Sequence, residues 1–143
     1  MKFDHFLEAQ ETVYGLVVRE LARGEKWSHW MWFIFPQISG LGSSSMSRRF
    51  GLDSLAAANH YLLHEVLGAR LCECTQLVLD VQDRTAVEIF GPVDAMKFRS
   101  SMTLFALCSP DGSLFHRAIE KYFDGKKDSR TLELLGLRDS LEK

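Results

Sequence analysis

Twelve consecutive residues, Lys26-Trp27-Ser28-His29-Trp30-Met31-Trp32-Phe33-Ile34-Phe35-Pro36-Gln37, hold all three tryptophans of the chain and two of its ten phenylalanines. So much aromatic area in one place forces a choice: it nucleates a core, or it walls a ligand site. Trp27, Trp30, Met31 and Ile34 fit a short helix. That helix has to stop near Phe35, because a residue before proline avoids helical geometry. The glycines and serines after Pro36, from Gly40 to Ser45, then read as a loop of about ten residues. Gly-x-Gly-Ser-Ser-Ser lacks the lysine of a P-loop and the spacing of a dinucleotide fingerprint, so it carries little weight by itself.

The remaining segments favour helices. Phe6, Val13, Tyr14, Val17 and Leu21 share one face between Phe3 and Arg23, with Gln10 inside the apolar stripe and Gly24 ending the segment. A buried glutamine needs partners, and a hydrogen bond to backbone is the expected one. Asp53-Ser54 caps a helix through Leu62, and another runs from about His64 to Gln82. Thr85 caps a short turn closed by Gly91-Pro92, and a helix follows from about Val93 to Cys108. Ser109-Pro110-Asp111-Gly112 is a turn, Ser113 caps a helix ended by Asp124-Gly125, and a last short helix spans 129–135. No segment alternates as a half-buried strand would. The expectation is an all-α fold, a single helical domain over 1–143, with a loose tail after about 136.

Composition narrows the function classes. The chain has 143 residues, 46% apolar and 25% charged, enough for one domain with a real core. A net charge of -2 argues against a nucleic-acid-coating protein. No apolar run reaches the length of a membrane span, and the N-terminus lacks the apolar region of a signal peptide, so a cytoplasmic protein without membrane partners is expected. Cys72, Cys74 and Cys108 read as free thiols in a reducing compartment. Cys72-Glu73-Cys74 has no second pair, His60 and His64 have no evident third ligand, and neither a metal nor a cofactor is expected.

On a helical wheel of residues 94–108, Phe98, Met102, Leu104, Phe105 and Cys108 spread over one broad face. Asp94, Lys97 and Ser101 fall in the middle of that face, with Arg99 and Thr103 opposite. Charged groups aimed at a core must pair or line a hydrated cavity. One reading is an Asp94–Lys97 pair with Ser101 bonded back to the carbonyl of Lys97. The other is a pocket in which Lys97 and Ser101 bind an anionic or carbonyl group and Asp94 orients Lys97. His29, Trp30, Gln37 and Ser43 of the aromatic stretch and its loop would complete such a pocket.

Gly24 and Lys26, His29-Trp30-Met31-Trp32, Phe35-Pro36-Gln37, Gly40-Leu41-Gly42-Ser43, Ile89-Phe90-Gly91, Asp94, Lys97 and Ser100 to Phe105 together resemble a bacterial family of small proteins of unknown function, sometimes labelled "calpastatin". Trp27, Ser44 and Ser45 lie outside the family pattern. The resemblance covers nearly the whole chain. It implies an all-helical fold and no established activity, cofactor or catalytic residue. Two functions stay open at this point. One is a binder of, or enzyme for, a small anionic metabolite or nucleotide, with its pocket between the Trp-rich stretch 27–43 and the helix 93–108. The other is a protein–protein interaction module with an aromatic patch. Oligomeric state is not legible.

Overall fold

A computed structural model describes residues 2–137 and contains ten helices among them. They are α1 (Asp4–Glu11), α2 (Tyr14–Ala22), α3 (Met31–Ile34), α4 (Ser45–Phe50), α5 (Leu55–Leu63), α6 (Leu67–Asp80), α7 (Ala86–Phe90), α8 (Pro92–Ala106), α9 (Leu114–Phe123) and α10 (Ser129–Leu134). No strand forms among the described residues. An isolated parallel bridge, Ile38 to Leu52, ties the Gly/Ser loop to the chain after α4. The fold is all-α. The tail expected to be loose after about 136 lies, beyond Leu137, outside the described residues.

The caps read from sequence form as side-chain hydrogen bonds. Ser54, Ser113 and Thr85 accept from the backbone N–H groups of Ala57, His116 and Glu88, and the Glu88 carboxylate accepts in turn from the Thr85 N–H to close a capping box. Three boundaries differ from expectation. The single helix expected over 3–23 breaks between α1 and α2, at the β-branched pair Thr12-Val13, where side chains resist helical packing. The short aromatic helix starts at Met31, which leaves Trp27 outside it and 72% exposed. α4 is too short to show a period in sequence. It is started by the Ser44 cap and anchored by buried Phe50, which meets Phe6 and Phe33 edge-on or tilted.

The core is one continuous apolar cluster that takes in α8 from several sides. Ala95 and Phe98 are buried, and so is every residue from Ser100 to Ala106. From Ser100 onward the helix is covered all round and has no solvent face, whereas Val93 and Met96 in its first turns stay exposed. Thr103, expected on the outside, is therefore buried, and Arg99 is held by the carbonyl oxygens of Lys126 and Lys127 at 2.9 and 3.3 Å.

Two glycines are required by geometry. A Cβ at Gly68 would sit 1.9 Å from the carbonyl oxygen of Leu62, so α5 and α6 approach at a distance only glycine allows. Gly24 has φ +72 and turns the chain from α2 into Lys26.

Gln10 is fully buried and bonded at both ends of its amide. Its Nε2 donates to the Phe33 carbonyl at 2.8 Å and to Tyr61 Oη at 3.3 Å, while its Oε1 accepts from Arg70 at 3.1 Å. One amide thus joins α1 to α3, α5 and α6. Among the described residues no helix is long and apolar enough to cross a membrane.

Candidate functional site

The aromatic stretch is positioned from beneath by Glu20 of α2, a residue that falls on the same apolar stripe as Val13 and Val17. Its Oε1 accepts from the backbone N–H of Trp27 at 2.9 Å, the N–H of Ser28 at 3.0 Å and Trp30 Nε1 at 3.0 Å. Its Oε2 accepts from Ser28 Oγ at 2.7 Å. Burial alone pushes this carboxyl up. The Ser28 hydroxyl and the N–H groups of Trp27, Ser28 and Trp30 more than reverse that, holding it at about 2 against an ordinary 4.5. Glu20 is an ionised, fully bonded brace for a segment with little regular structure.

Lys26 continues the network. Its side chain is 6% exposed and its ammonium donates to the Ser28 carbonyl at 2.5 Å, pairs with Asp94 Oδ2 at 2.7 Å and lies 4.9 Å from the Trp30 ring centroid. Asp94, in the first turn of α8, therefore has a buried partner from the aromatic stretch. Lys97 is a second and looser partner, 3.5 Å from Asp94 Oδ1. Its ammonium sits 3.9 Å over the Trp32 ring.

Trp32 and Lys97 form one wall of a cavity of about 630 Å3. Gln37 and the loop from Gly40 to Ser44 form a second wall, with Ser47 and Phe50 of α4 behind them. Val93, Met96 and Ser100 of α8, then Asp128 and Arg130 at the start of α10, complete the lining. α10 is docked here by its own cap. Asp128 Oδ2 accepts from Thr131 N at 2.9 Å, Thr131 Oγ1 at 2.6 Å and Ser100 Oγ at 3.2 Å, and Asp128 N donates to Thr103 Oγ1 at 2.9 Å.

The residues singled out in sequence divide into groups. Gln37, Ser43 and Lys97 line the cavity together, and Asp94 stands behind Lys97. Trp30 is buried in the core against Glu20 and Phe35. His29 is exposed and not on the lining. Ser101 is fully buried, also off the lining, and its hydroxyl has no hydrogen-bond partner among the described residues.

A hydroxyl buried without a partner costs free energy. Ser101→Ala is therefore expected to leave stability unchanged or raise it by about 1 kcal/mol. A melting temperature lower by more than about 3 °C would instead reveal a partner for Ser101.

Trp32, Arg130, Lys26 and Glu20 were not singled out by the helical wheel. Three of them were findable in part. Glu20 keeps the stripe period, and Lys26 and Trp32 belong to the family-like stretch. Arg130 carries no local signal, because only the docking of α10 brings it to the cavity.

Among the described residues no group of three or more His, Cys, Asp or Glu could hold a metal ion. Burial pushes the Cys74 thiol up to about 12 and raises Cys72 and Cys108, so none is a thiolate nucleophile at neutral pH. His64 Nδ1 accepts from the N–H groups of Val66 and Leu67 at 3.1 and 3.2 Å, bracing the start of α6.

Residues 1–135 match the family described as "Protein of unknown function (DUF1810)". The chain belongs to the DUF1810 family. Its fold is similar to the crystal structure of the conserved hypothetical protein Rv1873 from Mycobacterium tuberculosis, with a TM-score of 0.91 and 50% sequence identity. That likeness covers 94% of this chain and 96% of the mycobacterial one. No curated protein matches the chain. The DUF1810 match extends to the last helix, so α10 and Arg130 lie within the family's span.

Proposed function

We propose that this DUF1810 protein binds a small anionic molecule in the cavity between the aromatic stretch and α8. The observation that carries this reading is a surplus cation. Two lysines share the Asp94 carboxylate, the closer one is Lys26, and the looser one, Lys97, lines the cavity above Trp32. A purely structural pair needs one lysine, and a second ammonium kept in a partly apolar cavity calls for an anion. The volume falls in the range of small-molecule pockets. The three free thiols support a reducing compartment, the cytosol, as its location.

The alternative of a protein-docking aromatic patch has less surface to work with. Trp30, Phe33 and Phe35 are buried and Trp32 is half-buried at the cavity, which leaves Trp27 as the exposed aromatic side chain of the stretch.

The test is ligand-induced stabilisation. A ligand at 100 times its Kd raises stability by about 2.7 kcal/mol, a shift of several degrees. A panel of millimolar anionic metabolites is expected to contain at least one that does this for the parent. Lys97→Met retains the aliphatic stem and leaves Asp94 paired with Lys26, so the variant should stay folded while losing the shift. A parent that no anion stabilises would overturn the reading.

A further inference from the structure

Resting on that reading, we infer that the ligand is an aromatic phosphate monoester, held between Lys97 of α8 and Arg130 of α10 with its ring against the apolar rim. Four lining side chains have donors to spare. Arg130 is exposed and makes no ion pair or hydrogen bond among the described residues, and the side chains of Gln37 and Ser43 donate to none of them. Among the described residues Lys97 has a single carboxylate contact, at 3.5 Å, to an aspartate already taken by Lys26.

The lining carboxylate does not answer this surplus. Asp128 accepts three hydrogen bonds from Thr131 and Ser100 on its Oδ2, the oxygen that caps α10, and pairs with neither Lys97 nor Arg130 among the described residues. Counting the pocket and the pair behind it, Lys26, Lys97 and Arg130 face Asp94 and Asp128, which is three positive charges against two negative. An ammonium, a guanidinium, a carboxamide and a hydroxyl offer more donors than the two oxygens of a carboxylate can use. The three terminal oxygens of a phosphate monoester suit them better.

The rest of the rim favours a flat apolar group. Val93 and Met96 are 66% and 67% exposed on the N-terminal half of α8, and both line this cavity. Leu41 and Trp32 belong to the same lining. Apolar side chains left open beside a few convergent polar groups mark a surface kept for a partner group.

The probes are AMP, phenyl phosphate, benzoate, adenosine and inorganic phosphate, titrated by calorimetry into the parent, Arg130→Gln and Lys97→Met. AMP or phenyl phosphate should bind at least about 10-fold tighter than benzoate, adenosine or phosphate alone. AMP without phenyl phosphate would point to a nucleotide, and the reverse to a simpler aryl phosphate; either supports the inference. Arg130 is exposed, so Arg130→Gln should melt with the parent and weaken the bound monoester by about 10- to 100-fold. Benzoate binding as tightly as phenyl phosphate, or unchanged affinity in Arg130→Gln, overturns this inference and leaves the anion-binding reading standing. Should neither these probes nor any other anion bind the parent, both fall.

Discussion

Glu20→Ala is expected to lower stability by about 4 kcal/mol, or about 10 °C in melting temperature. The substitution removes one carboxylate and strands four donors: two backbone N–H groups, the Ser28 hydroxyl and the Trp30 indole. Each buried unpaired donor costs about 1–3 kcal/mol, and partial access of water to the vacated space offsets some of the total. The same carboxylate sets an acid response. Its folded value is about 2 against 4.5, so the folded state binds the proton more weakly than the unfolded chain. Its contribution is complete above pH 4.5 and is lost as pH falls from there toward 2, by about 3 kcal/mol in all. Glu20→Gln has no such proton to gain. Melting temperatures of parent and Glu20→Gln, measured from pH 7 to 2.5, should therefore converge at the acid end. Parallel curves would show that Glu20 is not the brace described above.

The second large effect is at Trp30. Trp30→Ala is expected to cost about 3–5 kcal/mol, because the fully buried indole packs beside Phe35 and under the Lys26 ammonium. Two contributions are separable. Trp30→Phe keeps much of the ring packing and loses the Nε1–H bond to Glu20, so it should cost less than half as much as alanine. Because Trp30 and Glu20 share that bond, the double variant Glu20→Ala/Trp30→Ala should lose less than the sum of the single losses. Additive losses in chemical denaturation would argue that the two act separately. A Trp30→Ala protein melting within about one degree of the parent would remove the aromatic stretch from the core altogether.

Much of the local architecture was legible residue by residue. Ser54, Thr85 and Ser113 cap the helices they were read to cap, since capping is a bond between neighbours in the chain. Gln10, out of place on an apolar stripe, is bonded to the Phe33 carbonyl as its type requires. Asp94 and Lys97 on the core-facing side of α8 pointed to a pair or a pocket. They pair, and Lys97 also lines a cavity. Ser101 was grouped with them by angle alone. One turn along a helix changes depth as well as direction, and Ser101 ends buried in the core.

What the sequence determined by itself is the all-helical class, most helix starts and stops, and the conflict between charge and burial on α8. These rest on spacing along the chain, which needs no knowledge of neighbours. The tertiary structure decided the rest. Lys26 is 68 positions from Asp94 and takes the closer half of that carboxylate, which frees Lys97 for the cavity. Arg130 reaches the same cavity only because Asp128 docks α10 on Ser100 and Thr103. Glu20 becomes a brace because the turn at Gly24 folds the Trp27–Trp30 segment back over α2. In each case the partner is brought in by chain reversal and packing. A charge shared between distant segments has no period for a sequence to display.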